Sequence, residues 1–212
     1  FLKFVEASKL AIVPNSVSIK KAVKKKGSNS DFKIFFLGAI SKQKGLEELL
    51  VASEKIHQIN NKIFFNIAGF IVDSEKDIFG KIFNLHRNKN SNINLHLNVV
   101  GSKKETLFSN SDLFILPSYS EGLPFVILEA LSYGLPVITT DVGGISEVIN
   151  EEVNGLFVEI ASADDLVDKI FQLYNNPNTI KKMRINNLNK IKEEYEHEII
   201  FSRIQKMYEE ML

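Results

Sequence analysis

The 212 residues contain no cysteine, which excludes disulfides and thiolate chemistry and makes a cytoplasmic setting comfortable. No charge of one sign dominates either. Lys plus Arg and Asp plus Glu both number 26, so no overall field draws the chain toward nucleic acid or an anionic membrane. No apolar run approaches the roughly 18 residues that span a bilayer. The charges near the start, Phe1 to Leu10, lie inside the apolar pattern rather than before it, so neither an anchor nor a signal peptide is read there. His57, His86, His96 and His197 have no ligand spacing and no nucleophile partner, so no metal centre is expected from them. There is no internal repeat or low-complexity tract. No initiator Met opens the chain, which predicts a segment upstream of Phe1.

What is present is enough for a sizeable core: 44% of the residues are hydrophobic and 25% charged, as in an ordinary globular domain with an appendage. After a short extended stretch, Lys9 to Val13, the breaker cluster Pro14-Asn15-Ser16 and the lysine-rich Ile19 to Lys26 read as a linker. Residues 1–30 are therefore assigned to an interdomain strand and linker, 31–176 to a Rossmann-like domain and 177–212 to terminal helices. Within the central part, short apolar runs alternate with amphipathic ones. Strands are predicted at Lys33 to Leu37, Ile63 to Ala68, Ile93 to Leu97, Leu113 to Leu116, Val137 to Thr139 and Leu156 to Val158. Helices are predicted at Leu46 to Ile59, within Asp73 to Leu85, and at Lys103 to Phe108, Leu123 to Ser132 and Gly144 to Ile149. From Asp164 onward the pattern is helical. This alternation implies a six-stranded parallel sheet with helices on both faces. If the order is 3-2-1-4-5-6, ligands bind beyond the carboxyl ends of strands one and four, where the winding reverses. The loops at Gly38 to Gly45 and Pro117 to Pro124 fall there.

In the second loop, Glu121 precedes a helix and Glu129 lies inside it, eight positions on, so both can face one ligand. Gly122 lets the backbone approach a ligand, and the free N–H groups of a first helical turn suit polyols and anions. Glu129 stands among Val126, Ile127 and Leu128, where a carboxylate is costly unless paired or facing a cleft. The alternative is a helix N-terminal charge at Glu121 and a solvated Glu129. Lys44, at the mouth of the first loop, suits a diphosphate; its alternative is a surface lysine.

The run EGLPFVILEALSYGLPVITTDVGGISEVINEEVNGLFV, Glu121 to Val158, resembles the signature of the group 1 glycosyltransferases, retaining family 4, including its E-x7-E element. Phe36-Leu37-Gly38 with Lys44-Gly45, Asn98 to Gly101, and Ser111-Asp112-Leu113 to Pro117-Ser118 fall in that family's order, so the resemblance covers roughly Phe32 to Tyr174. It implies the C-terminal, nucleotide-sugar-binding half of a GT-B fold, with retention at the anomeric carbon, no metal and no other cofactor. Carried over by position, Glu121 contacts the transferred sugar and Gly122, Leu123, Pro124 and Phe125 offer backbone to it. Glu129 holds the ribose, Lys44 the diphosphate, Val100 and Gly101 border the base, and Gly38 is a further donor-binding position. Glu121 and Lys44 are the two expected catalytic groups. The absence of an Asp-x-Asp sequence agrees with metal independence. One departure stands out: where the family often has an arginine after the glycine of strand one, this chain has Ala39, and Lys42 is the nearest candidate to compensate.

The implied partners are a nucleoside diphosphate sugar and a sugar or lipid-linked acceptor held by an N-terminal domain, with no nucleic acid. Lys20, Lys21, Lys24, Lys25 and Lys26 read as a solvated linker, or as a peripheral contact with the inner face of the membrane. Gly143-Gly144 with Glu147 is either a border of the sugar pocket or a turn with a first-turn acid. Two other functions remain open on the sequence: a sugar-nucleotide 2-epimerase, disfavoured by the E-x7-E block, and a non-catalytic sugar-nucleotide-binding module. The tail from Pro177 carries an apolar stripe at Ile199, Ile200, Ile204, Met207 and Met211, which predicts a helix; the resemblance implies that it crosses to the N-terminal domain, and without that partner it must fold back on this domain or pair with a second chain.

Overall fold

The computed structural model describes residues 13–20, 31–72, 76–87 and 92–211. The predicted strand at Lys9 to Val13, apart from Val13, lies outside them. So do Asp73 and the basic cluster other than Lys20, and the side chains of His86 and Met211 are not described. Six strands form one sheet, in chain order β1 (Phe32–Ile40), β2 (Ile63–Ile71), β3 (Ile93–Leu97), β4 (Leu113–Leu116), β5 (Val137–Thr140) and β6 (Gly155–Val158). Their spatial order is β3-β2-β1-β4-β5-β6 and every pairing is parallel, the expected architecture with its reversal between β1 and β4. Helices α1 (Leu46–Ile59), α2 (Lys76–Arg87), α3 (Gly101–Ser109), α4 (Phe125–Ser132) and α5 (Ala163–Tyr174) cover the sheet, followed by α6 (Pro177–Lys190) and α7 (His197–Met211). Among the described residues, no helix is long and apolar enough to cross a membrane.

β1 and β4 are hydrophobic because both faces are covered: Ile34, Phe35, Phe36 and all of Leu113 to Leu116 are buried. An aromatic cluster joins the sheet to the helices. Phe35 meets Phe108 edge-on at 4.9 Å, and Phe108 stacks on Tyr133 at 5.1 Å. Each fully buried ring contributes about 1.5–3 kcal/mol, enough to hold α3 and the end of α4 in fixed register with β1. Lys104 is one helical turn before Phe108 and Glu129 is four residues before Tyr133, so the same cluster sets where both charges emerge.

Three local expectations are corrected. β1 and β2 run past their apolar stretches to Ile40 and Ile71, because Gly38, Ala39 and Ile40 pair with Gly69, Phe70 and Ile71. α4 opens at Phe125 rather than Leu123, since Pro124 takes an extended conformation and caps it. The helix expected at Gly144 to Ile149 is only a 3-10 turn, Ile145–Glu147. Its start is pinned instead to the β4 loop, where the Gly144 N–H donates to the Gly122 carbonyl at 2.8 Å. Its end is tied down by Asn154, whose side chain accepts from the Asn150 N–H and donates to the Val148 carbonyl.

The tail is helical, as predicted. α6 packs on α4 and α5, and α7 turns part of its stripe, Ile200 and Met207, toward Val13 and Pro14. Ile200 is buried, and Val13, Pro14, Ile200 and Met207 line a shared hollow. The Val17 N–H donates to the Tyr195 carbonyl at 2.9 Å, and Ser16 hydrogen-bonds His197 at 2.8 Å. The other side of α7 leaves Phe201 and Tyr208 exposed.

Candidate nucleotide-sugar site

At the carboxyl ends of β1 and β4, two loops are locked together. Gly45 has φ 69°, and a Cβ there would lie 2.0 Å from the Pro117 carbonyl oxygen, so only glycine allows this approach. The Tyr119 N–H donates to the Gln43 carbonyl at 2.9 Å, and the Tyr119 hydroxyl to Glu48 at 2.6 Å. That hydrogen bond, with partial burial and the nearby charges of Glu48 and Glu47, pushes the Tyr119 pKa up to about 12. A third loop closes on the second: Gly143, at φ 61°, lies where a Cβ would be 1.9 Å from the Glu121 carbonyl oxygen.

This interlock carries the charges. The Lys44 ammonium donates to Glu121 Oε1 at 2.6 Å, and the Ser118 hydroxyl donates to the same oxygen at 2.7 Å. Among the described residues Oε2 of Glu121 has no hydrogen bond. The pair is shielded, with side chains 23% and 8% exposed. Ser118 is itself fixed, its carbonyl accepting from the Thr140 hydroxyl.

Lys44 and Glu121 open into a cavity of about 580 Å³. Gly38, Ala39, Gly69, Phe70, Asn98, Val99, Val100, Pro124, Phe125 and Val126 also line it, with Leu37 and Leu116 beneath. Its floor is bare backbone: Gly38 and Gly69 are register partners, and a Cβ on Gly69 would stand 1.9 Å from the Gly38 carbonyl oxygen. In the first turn of α4 the Ile127 N–H donates to the Pro124 carbonyl at 3.0 Å, no side chain caps the helix, and among the described residues the N–H groups of Phe125 and Val126 have no partner.

The expected residues are thus divided. Gly38, Lys44, Val100, Glu121, Pro124 and Phe125 share the main cavity. Glu129 and Gly101 line an adjoining hollow of about 320 Å³, separated from it by Phe125, which faces both. Gly122 and Leu123 border neither; Gly122 instead supports the Gly143-Gly144 turn. In the hollow, Lys104 donates to Glu129 Oε1 at 2.5 Å, their side chains 31% and 19% exposed. Tyr133 lies beside them, its pKa pushed up to about 12 by burial and by the charges of Glu105 and Glu129. Lys42 reaches Glu47 at 3.5 Å and does not line the cavity, where Lys44 is the sole cation among the described residues.

Sequence reasoning did not single out Ser118, Lys104, Gly69 or Phe70 as site residues. Lys104 is 25 positions from its partner and Ser118 resembles any loop serine, so neither carries a periodicity or spacing signal. Gly69 did carry one, as a glycine ending an apolar strand.

A sequence profile described as "Glycosyl transferases group 1" matches residues 18–190. The capsular polysaccharide biosynthesis glycosyltransferase CapM of Staphylococcus aureus is 28% identical over 87% of this chain and 47% of its own length. Two solved structures share the fold. The Rickettsia africae glycosyltransferase has a TM-score of 0.82 at 19% identity, over 98% of this chain and 58% of that one. Anabaena HepE, solved with UDP and glucose, has a TM-score of 0.72 at 19% identity, over 85% of this chain and 48% of that one. The chain spans about half or less of the curated relatives it matches. Profile, relatives and sheet order agree, and the chain belongs to the group 1 glycosyltransferases.

Proposed function

We propose that this chain is the donor-binding half of a retaining glycosyltransferase that transfers a sugar from a nucleoside diphosphate sugar during glycan or polysaccharide synthesis. The observation that carries this reading is the Lys44–Glu121 pair at the mouth of a glycine-floored cavity at the switch point of the sheet. A cation, unpaired helical N–H groups and bare backbone suit a diphosphate. A carboxylate with a free oxygen suits sugar hydroxyls, and Glu129, across Phe125, suits the ribose diol. The apolar walls at Phe70, Val99 and Val100 suit a base.

In the proposed reaction the acceptor hydroxyl attacks the anomeric carbon on the face from which the diphosphate leaves. The bond from that carbon to the β-phosphate oxygen breaks, a new carbon–oxygen bond forms, and the acceptor proton passes to the departing phosphate. Lys44 and the start of α4 stabilise the leaving charge, so no metal is required of the mechanism. The acceptor, a sugar or lipid-linked sugar, is assigned to a second domain outside this chain, so the chain alone binds donor but turns over little. The place of action follows the acceptor, in the cytoplasm or at the inner face of the membrane. Ala39 supports a second reading, a non-catalytic module that binds sugar nucleotides, because it leaves Lys44 the sole cation lining the cavity among the described residues.

Calorimetric titration with UDP-, GDP- and ADP-sugars tests the binding step, and saturable binding of one base class is expected. No binding by any of them refutes the reading. Turnover by a longer protein carrying this half, given donor and acceptor, separates the enzyme from the module.

A further inference from the structure

The two groups assigned to opposite ends of the donor's scissile bond are bonded to each other. Lys44, assigned to the diphosphate, spends one of its N–H donors on Glu121, assigned to the sugar, at 2.6 Å. Resting on that assignment, we propose that Glu121 has a second role: it competes with the diphosphate for Lys44, and so weakens binding of the sugar-free nucleoside diphosphate and promotes product release.

The geometry favours this competition, since the one ammonium must divide its charge between carboxylate and diphosphate. Among the residues lining the cavity, Lys44 is the one cation described, with no arginine at Ala39 to hold the diphosphate independently. Glu121 cannot swing away freely, because the buried Ser118 hydroxyl grips the same Oε1, and the Gly143 turn presses on the backbone of Glu121 itself. At 8% exposure its carboxylate gains little from water, so it depends on its charged partner. When a nucleotide sugar binds, sugar hydroxyls take up Oε2 and offset what Glu121 loses as Lys44 turns to the phosphates. Once the sugar has moved to the acceptor that compensation is gone, while the phosphates still contend with Glu121 for the ammonium. The ion pair re-forms as the diphosphate leaves. The same chain therefore favours the intact donor over its product without a moving lid.

The test is calorimetry of the whole chain and its Glu121→Gln variant with UDP and UDP-glucose. The amide keeps the size and the acceptor for Ser118 but removes the charge that holds Lys44. UDP is expected to bind about threefold or more tightly to Glu121→Gln, and UDP-glucose more weakly, so that preference for the sugar-bearing ligand falls about tenfold. Unchanged or weaker UDP binding overturns the proposal. Equal tightening of both ligands also overturns it, since loss of simple charge repulsion would act on both. Lys44→Ala separates this from the parent reading: it should lose most UDP affinity, and if it binds UDP like the parent chain, the assignment of Lys44 to the diphosphate fails as well.

Discussion

The two walls of the cavity are built differently. The wall made by the ends of β1, β4 and α4 is interlocked: Gly45 lies on Pro117, Gly143 on Glu121, and Lys44 is bonded to Glu121. The wall made by the ends of β2 and β3 is more open: Phe70 is 58% and Val100 77% exposed, and past the last ladder pair, Gly69 with Leu97, the Asn98 N–H donates to the Gly69 carbonyl. Charge must be held in place before a ligand arrives, because in a shielded site its orientation sets its energy. The flat face of a nucleobase is held largely by stacking surface, which tolerates looser placement. In the proposed reading, the difference separates a preorganised diphosphate and sugar end from an adaptable base end.

Breaking the interlock should have the largest effect. Gly45→Ala places a Cβ 2.0 Å from the Pro117 oxygen at φ 69°, so the two loops must part. We expect a loss of roughly 2–4 kcal/mol, read as a fall of about 5–15 °C in melting temperature. Nucleotide binding should fall with it. Gly101→Ala, also at positive φ but with nothing within 4 Å of the new Cβ, should cost less. Equal losses at the two positions would mean that backbone strain alone, and not the interlock, matters.

Next comes Glu129→Ala, which removes the proposed ribose contact and strands Lys104 without its partner. UDP and UDP-sugar affinities should fall alike, by about 1.5–3 kcal/mol for one charged hydrogen bond. Binding of inorganic pyrophosphate, measured by competition, should not change. A loss confined to the sugar-bearing ligand would move Glu129 out of the ribose role.

The sheet order and the position of the crevice were legible because alternating apolar runs admit few right-handed parallel topologies. Lys44 and Glu121 were legible as neighbours only through that topology, being 77 positions apart. Strand ends were not, since Gly38-Ala39 and Gly69-Phe70 extend the ladder by backbone pairing that hydrophobic pattern does not encode. Nor was the turn at Ile145–Glu147, whose apolar spacing is helical while its ends are held by tertiary bonds to Gly122 and Asn154. The ion pairing of Glu121 and Glu129 was equally hidden, because a lysine's partner depends on where its helix or loop is docked.

On the open wall, Phe70→Ala should sharpen the contrast. The side chain is largely exposed, so stability should change little, whereas affinity for UDP should drop by up to about 1.5 kcal/mol and that for pyrophosphate should not. A matching loss for pyrophosphate would place Phe70 at the phosphates instead of the base.

The smallest effect is expected at the outer edge of the interlock, from Tyr119→Phe. It removes the hydroxyl that donates to Glu48 but leaves the Tyr119 N–H bonded to Gln43. One such bond on an exposed side chain is worth about 0.5–1.5 kcal/mol near neutral pH, where the phenol is protonated folded and unfolded alike. At high pH the sign is definite. The folded pKa is raised to about 12 from 10, so between these values the unfolded chain releases a proton that the folded chain retains. Stability must therefore fall as pH rises through that window. Tyr133, also raised to about 12, acts in the same direction. Tyr119→Phe should make the alkaline decline shallower without abolishing it. A decline of unchanged steepness in urea unfolding at pH 9 to 11.5 would show that the Tyr119–Glu48 bond does not persist in solution, leaving the Gly45 contact and the Gln43 hydrogen bond to hold the loops together.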